Sequence, residues 1–167
     1  MNDFTGNKNF NISSQMVSAS CPSNIALIKY WGKYERQIPA NPSISYTLNN
    51  CKTNTSMEFV ADEKFSVQTF LSGNEEKKFA EKIEKYFRNI EEFLPWILKG
   101  KYVIKTENTF PHSSGIASSA SGFGAIAKCL MELDQQFSGL QDSDFKLRKA
   151  SFLARLGSGS AGRSMYD

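Results

Sequence analysis

The sequence has little histidine and cysteine, and this scarcity excludes several kinds of site. His112 is the single histidine among 167 residues, and the three cysteines, Cys21, Cys51 and Cys129, form no Cys-x-x-Cys pair. Structural zinc sites need about four closely spaced Cys or His ligands. An odd, dispersed set of cysteines is typical of reduced thiols in a cytosolic protein. We therefore expect neither a zinc centre nor a disulfide framework.

Long apolar runs and strong charge are also missing. No stretch of about 18 residues is continuously apolar, and the polar first residues lack the order of a secretion signal. The 20 basic and 17 acidic residues leave a net charge of +3, without the basic stripe of a nucleic-acid-binding surface. We expect a cytoplasmic protein with neither a membrane nor a nucleic-acid partner, long enough for one globular domain.

Alternating apolar residues predict a series of strands in the first half of the chain. The candidates are Met16–Ser20, Asn24–Tyr30, Ser43–Leu48, Thr53–Val60, Lys64–Leu71 and, later, Lys101–Glu107. Cys21-Pro22-Ser23 separates the first two, and Asn49-Asn50 predicts a turn or a bulge. The short segment 61–63 predicts a hairpin between the strands on either side of it.

Helical spacing of apolar residues predicts three helices. The first runs from Glu75 to Leu94, where Pro95 ends it; the second follows a Ser/Gly-rich segment; the third is capped by Asp142 or Ser143 and ends at Gly157. Strands come first, followed by helices interleaved with one strand. This order indicates an α+β fold rather than a doubly wound parallel sheet.

The segment TFPHSSGIASSASGFGAIAKCL, residues 109–130, reads as a loop that becomes a helix N-terminus. Such a terminus has unpaired backbone N–H groups and the positive end of the helix dipole, so it binds anions. Small residues let a phosphate approach, and serine hydroxyls add donors. A flexible linker is the alternative, but the apolar periodicity continues well beyond the serines. No Gly-Lys-Ser/Thr closes the segment, so it is not a Walker A loop.

Two further segments carry candidate phosphate-binding side chains. SNIALIKYWGK, residues 23–33, places Lys29 and Lys33 around Tyr30, which suits a diphosphate. A solvated loop with packed aromatics is an equal alternative. GSGSAGRS, residues 157–164, presents Arg163, whose planar guanidinium suits a carboxylate or phosphate, although arginine after such a turn is more often a surface residue. Phosphoryl chemistry is therefore the leading class.

Together the three segments resemble the diphosphomevalonate decarboxylases of the GHMP kinase superfamily. The matching stretches are SNIALIKYWGK with NPSISYTL, NTFPHSSGIASSASGFGAIA, and LARLGSGSAGRSMY. The resemblance spans nearly all 167 residues but corresponds to about the first half of a family member. It implies a GHMP kinase N-terminal domain, similar to domain 2 of ribosomal protein S5. Pro42 and Gly162 depart from residues common in the family.

The resemblance also implies a reaction and a set of site residues. The family decarboxylates mevalonate 5-diphosphate to isopentenyl diphosphate after ATP phosphorylates the 3-hydroxyl, with Mg²⁺ carried on the ATP. Lys29 and Arg163 are the implied catalytic residues. The implied substrate-binding residues are Tyr30, Lys33, Ser158, Ser160 and Arg163. ATP phosphates are expected on Gly115, Ala117, Ser118, Ser119 and Ser121, with Ser118 also the candidate Mg²⁺ contact.

The family's catalytic aspartate lies in a C-terminal half that is absent here. We therefore expect residues 1–167 to form a truncated N-terminal domain that is inactive by itself, exposes surface meant for the missing part, and forms a homodimer when full length. Two alternatives remain: a small-molecule kinase such as a mevalonate 3-kinase, and a non-catalytic S5-like binding module. Release of CO₂ alongside ADP separates the first from the decarboxylase, and salt-sensitive nucleic-acid binding identifies the second.

Overall fold

The computed structural model describes residues 4–5, 9–29, 31–111, 116–139 and 141–166. Its strands are β1 (Gln15–Ile28), β2 (Ile44–Ala61), β3 (Ser66–Leu71), β4 (Asn74–Glu75) and β5 (Gly100–Asn108). Its α-helices are α1 (Lys77–Asn89), α2 (Ser118–Ser138) and α3 (Ser143–Gly157), and a 3₁₀ helix spans Ala161–Met165. The predicted α+β fold is confirmed.

The five strands form one sheet in the order β1-β2-β5-β3-β4. All neighbours are antiparallel except β3 and β5, which run parallel. The predicted hairpin between residues 53–60 and 64–71 is wrong, because β5 lies between these two strands. A parallel pair needs a crossover connection, and α1 supplies it between β3 and β5.

β1 and β2 form a long two-stranded ribbon that continues past the end of β5. The predicted interruption at Cys21-Pro22-Ser23 is wrong, since β1 continues through it. Pairing changes there from Pro22 opposite Lys52 to Ser23 opposite Leu48, so residues 49–51 of β2 bulge outward. The predicted bulge at Asn49-Asn50 is thus confirmed.

The helices cover one face of the sheet. α2 packs on β1 and β2, and α1 packs on β3. Alternate strand residues such as Met57, Phe59 and Ile104 are fully buried beneath them, as period-2 geometry requires. Within the described residues, no helix is both long and apolar enough to span a bilayer.

α1 is shorter than its apolar spacing predicts, because it ends at Asn89. Ile90 leaves the helical conformation, with φ −107° and ψ 7°. Residues up to Ile97 continue as tight turns that keep Phe93, Leu94 and Trp96 buried. The apolar spacing therefore continues past the end of the helix because these side chains are buried.

α3 begins as predicted, with Asp142 as its N-cap: the carboxylate accepts a hydrogen bond of 2.9 Å from the Phe145 N–H. It ends at Gly157, as predicted, against α2. A Cβ placed on Gly157 would lie 2.1 Å from the ring of Phe123, so the two helices can approach only because position 157 has no side chain. The segment that carries Arg163 follows directly after this contact.

Candidate functional site

A cavity of about 410 Å³ lies where β1, the start of α2 and the 3₁₀ helix meet, and we call it the Arg163 cavity. Its lining consists of Asn24, Ile25, Ala26, Lys29, Ala117, Ser160 and Arg163. The three segments singled out in the sequence thus converge on one concave surface. A guanidinium, an ammonium and a hydroxyl are donors suited to an anionic ligand.

Asn24 joins β1 to the segment that carries Arg163. Its amide nitrogen donates to the carbonyl of Ser160 at 3.1 Å and to the hydroxyl of Ser164 at 2.7 Å. Both Asn24 and Ser164 are buried, and a buried amide must be hydrogen-bonded to be tolerated. Asn24 was not among the predicted site residues. The available signal was its position directly before the apolar run Ile25–Ile28, because an amide that is buried there requires a hydrogen-bond partner.

Lys29 follows the end of β1, and its backbone carbonyl is hydrogen-bonded to the side chain of Asn41. The Asn41 side chain accepts from the Trp31 N–H at 2.8 Å and donates to the Lys29 carbonyl at 3.4 Å. These bonds fix the backbone on both sides of position 30. The Lys29 side chain itself is exposed, so its ammonium group is accessible to a ligand.

A second cavity, of about 470 Å³, lies on the other side of the start of α2, and we call it the Lys82 cavity. Two lysines and an aromatic ring from α1, Lys78, Lys82 and Phe79, line it together with Ser118 and Ser119. Thr53, Leu71, Glu76, Thr106, Asn108 and Gly122 complete the lining. The first turn of α2 therefore separates two cavities.

The first turn of α2 has the features of an anion-binding terminus. Its N-cap is Ala117, whose side chain cannot cap, and no side-chain cap bond forms there among the described residues. Such a terminus presents backbone N–H groups and a positive dipole end. Ala117 lines the Arg163 cavity, and Ser118 and Ser119 line the Lys82 cavity. The N-terminus of α2 therefore borders both cavities.

Ser121, predicted to contact a ligand, is directed into the interior instead. It is 0% exposed, and its hydroxyl lies 2.6 Å from that of Thr53 and 3.2 Å from the carbonyl of Ser118. It belongs to the lining of neither cavity. The geometry therefore gives Ser121 a role inside the protein rather than at a ligand.

Two other predicted substrate residues, Lys33 and Ser158, do not line the Arg163 cavity. Lys33 is exposed and donates to the side chain of Gln37 at 2.6 Å. Ser158 follows the last turn of α3, and its N–H donates to the Ala154 carbonyl at 2.9 Å. Tyr30 and Gly115, together with His112, lie outside the described residues.

The cysteine near the site is structural. The Cys21 thiol donates to the Ser164 carbonyl at 3.3 Å. Burial raises the pKa of Cys21 to about 11, although nearby Lys128 offsets part of the effect. The thiol therefore stays neutral at physiological pH. Among the described residues no group of three or more His, Cys, Asp or Glu side chains could hold a metal.

This α+β domain, with a helix N-terminus between two polar cavities, is a GHMP kinase N-terminal domain. Residues 21–167 match the family described as Diphosphomevalonate decarboxylase-like N-terminal domain, and the chain belongs to this family.

Known relatives agree with this assignment. The diphosphomevalonate decarboxylase of Schizosaccharomyces pombe is 36% identical over 163 residues, which cover 89% of this chain and 40% of that protein. The mevalonate diphosphate decarboxylase of Staphylococcus aureus superposes with a TM-score of 0.74 at 37% identity, covering 92% of this chain and 44% of that one. MDDEF in complex with MVAPP, AMPPCP and magnesium gives a TM-score of 0.73 at 32% identity, covering 91% and 44%. The chain thus spans less than half the length of these relatives.

Proposed function

We propose that this chain provides the substrate- and ATP-binding part of an enzyme that decarboxylates mevalonate 5-diphosphate to isopentenyl diphosphate. The observation that carries the proposal is the Arg163 cavity, which gathers Lys29, Ser160 and Arg163 from distant segments beside the start of α2. The ligands of MDDEF, MVAPP and AMPPCP with magnesium, support the same ligand classes for this chain.

In this proposal the Arg163 cavity holds the anionic substrate. Arg163 pairs with the carboxylate, because a guanidinium binds a carboxylate through two parallel hydrogen bonds. Ser160 donates to the diphosphate, and Lys29 stabilises the phosphoryl group during transfer. Tyr30, Lys33 and Ser158 remain predicted diphosphate contacts. The position of Lys33 requires its side chain to leave Gln37 before it can reach the cavity.

The Lys82 cavity suits a nucleotide. Lys78 and Lys82 offer positive charge, and Phe79 offers an aromatic surface for a base. The backbone of Gly115, Ala117, Ser118 and Ser119 would hold the phosphates at the helix N-terminus. Mg²⁺ bound to nucleotide phosphates needs one or two protein oxygens, and the Ser118 hydroxyl is the candidate here. The metal would neutralise phosphate charge during transfer.

The chemistry follows from holding three anionic groups in place. The 3-hydroxyl oxygen attacks the terminal phosphorus of ATP and the bond to ADP breaks. The hydroxyl proton passes to a base, for which the family resemblance implies the aspartate of the C-terminal half. The bond between the carboxylate carbon and its neighbour then breaks; its electrons form the double bond as phosphate departs and CO₂ is released. Hydroxide is a poor leaving group, whereas phosphate is a good one. Fixed cationic donors around the site stabilise the developing charge.

We also propose that residues 1–167 are one domain of a larger two-domain enzyme, a homodimer located in the cytoplasm. The 40% coverage of the Schizosaccharomyces pombe relative supports the first part. The three cysteines, which are free of disulfides, are compatible with a reducing compartment. The dimer stays a prediction from the family resemblance.

Calorimetric titration of the purified chain with mevalonate 5-diphosphate and separately with MgATP tests the proposal. We expect Arg163→Leu to weaken mevalonate 5-diphosphate binding by at least about tenfold and to leave MgATP binding unchanged. Arg36→Leu, which removes an exposed arginine paired with Glu92, is the matched control and should change neither affinity. Equal binding by wild type and Arg163→Leu would contradict the proposal.

Turnover assays address the reaction itself. ADP and CO₂ should both stay at background for the 167-residue chain alone, as expected without the family's aspartate. ADP formation without CO₂ would indicate a kinase and contradict the decarboxylase assignment.

A further inference from the structure

We propose that the buried hydroxyl pair Thr53–Ser121 is a positioning device that fixes the first turn of α2 against the sheet. The functional consequence rests on the proposed function, in which this turn holds nucleotide phosphates. Neither residue was expected to act in this way, since Ser121 was predicted to contact the ligand directly.

The pair is enclosed and closely spaced. Thr53 is 2% exposed and Ser121 is 0% exposed, and their hydroxyl oxygens lie 2.6 Å apart. The Thr53 hydroxyl donates to the side-chain oxygen of Asn108 at 2.7 Å, so it accepts the proton of Ser121. The Ser121 hydroxyl also lies 3.2 Å from the Ser118 carbonyl, within the first turn. Ser121 has one hydroxyl proton, which the Thr53 oxygen and the Ser118 carbonyl share. Ser121 is thereby joined to β2 directly and to β5 through Thr53.

This link lies where the helix is least constrained by its own hydrogen bonds. The Ala117 N-cap provides no side-chain bond, and the first amide bonds of the turn run from Ala120 and Ser121 to the Ala117 carbonyl at 2.9 and 3.4 Å. A helix end without a cap frays readily. The Thr53–Ser121 contact anchors that end from beneath. Burial strengthens it, because water cannot compete for either hydroxyl.

Anchoring matters because the same turn lines both cavities. Ser118 and Ser119 line the Lys82 cavity and lie within three residues of Ser121. N–H groups that bind phosphate act best when they are already in place, because their reorganisation then costs little. Thr53 itself also lines the Lys82 cavity, whereas Ser121 does not. An effect of Ser121→Ala on ligand binding therefore acts through the turn that the pair holds.

The chain contains a matched pair that lacks this connection. Two residues further along β2, Thr55 places its hydroxyl 3.0 Å from that of Thr106. Thr55 is also 2% exposed, but its partner lies on β5 and not on α2. Thr55→Val therefore removes a buried hydroxyl contact from the same strand without loosening the helix.

The experiment compares Ser121→Ala, Thr53→Val, their double variant, Thr53→Ser and the control Thr55→Val in the 167-residue chain. We expect Ser121→Ala to weaken MgATP binding, measured by calorimetry, about three- to tenfold. Thr53→Ser keeps the hydroxyl and should retain the wild-type affinity for MgATP. The double variant should be no weaker than Ser121→Ala alone, because both changes remove one contact. Thr55→Val should stay within about twofold of wild type.

A second measurement needs no ligand. Amide hydrogen exchange followed by NMR should show faster exchange at Ala120 and Ser121 in Ser121→Ala and Thr53→Val, but not in Thr55→Val. Equal exchange at these amides in Thr53→Val and Thr55→Val would overturn the positioning role, as would unchanged MgATP affinity in Ser121→Ala. If wild type binds no MgATP even in the presence of mevalonate 5-diphosphate, the proposed nucleotide site is contradicted. The exchange measurement still decides whether the pair fixes the turn.

Discussion

The two halves of the β1–β2 ribbon share one hydrogen-bonded ladder but differ in what covers them. In the inner half, Gln15–Pro22 pairs with residues 52–59, β5 adds a third strand from Thr53 onward, and α2 packs on one face. In the outer half, Ser23–Ile28 pairs with Ile44–Leu48, beyond the end of β5.

The side chains of the two halves differ accordingly. Val17, Cys21, Met57 and Phe59 of the inner half are buried, whereas Met16 of the same half is 68% exposed. The outer half exposes large apolar side chains, namely Ile25, Leu27, Ile28, Ile44 and Tyr46. Backbone pairing alone therefore does not bury a strand. Burial requires a further layer.

The outer half is nevertheless the part that carries function in our proposal. It delivers Lys29 to the Arg163 cavity, and Asn24 is its anchor to the 3₁₀ helix. Exposed apolar side chains of this kind are typical of interaction surfaces. Within the ribbon, residues that stabilise the fold thus lie in the inner half, and residues of the proposed site lie in the outer half.

We expect the largest effect on stability from a substitution in the inner half. Phe59 is 0% exposed and contacts the rings of Trp96, Tyr102 and Phe137. We expect Phe59→Ala to lower the free energy of unfolding by about 3–5 kcal/mol, because it removes aromatic contacts and leaves a cavity. Urea denaturation followed by fluorescence measures this change.

Tyr46→Ala, an aromatic truncation on the outer half of the same strand, is the control for Phe59→Ala. Tyr46 is 65% exposed, so we expect a loss below about 0.5 kcal/mol. Equal losses for the two variants would remove the distinction between the halves.

An intermediate effect concerns Cys21, at the end of the inner half. Burial raises the pKa of its thiol from 9.0 to about 11. Between these values the unfolded chain releases the proton and the folded chain keeps it, so stability falls as pH rises from 9 to 11. Two pKa units correspond to at most about 2.7 kcal/mol.

Cys21→Ala removes this titration. We expect its cost, relative to wild type, to shrink as urea denaturation is repeated from pH 8 to pH 11, since alanine has no proton to release. Cys129→Ala serves as a comparison, because burial raises the pKa of that thiol to about 12. A cost of Cys21→Ala that stays constant over this range would contradict a buried neutral thiol at position 21.

The smallest effect on stability is expected at Leu27, which is 61% exposed on the outer half. Leu27→Lys should leave the melting temperature within about 2 °C of wild type, because surface changes rarely exceed ±0.5 kcal/mol. It should lower self-association in sedimentation velocity at high protein concentration, since it breaks an apolar patch. Glu58→Lys, on an exposed inner-half position, controls for added charge; an equal change in that variant would show that the patch is not responsible.

Local patterns were enough to predict most elements but not their neighbours. β5 and α2 lie where alternation and helical spacing predicted them, because each has a clear apolar face. The pairing of β3 with β5 was not predicted, because a short connection such as residues 61–63 favours a hairpin. Nothing in that connection indicates that a strand some forty residues later lies between the two strands. Likewise, the apolar spacing that continues to Leu94 arises from buried side chains, although the helix itself ends at Asn89.

The candidate site shows the same division. The motifs located Lys29, Ser160 and Arg163, and the structure brings them together. Ser121 looked like another phosphate donor because hydroxyl count in a sequence cannot distinguish a side chain that faces a cavity from one that faces the sheet. Asn24 was missed because its partners, Ser160 and Ser164, lie at the other end of the chain.

The insertion of β5 between β2 and β3 also constrains the order of folding during synthesis. β2 ends at Ala61 and β5 begins at Gly100, so a nascent chain leaves the ribosome with one long ribbon whose inner edge has no partner. Neither β3 nor the faces beneath α1 and α2 can be completed until residues 100–108 emerge. The central strand is thus the last of the five to be synthesised, and until then the edge of β2 has unpaired backbone groups that favour pairing with other chains.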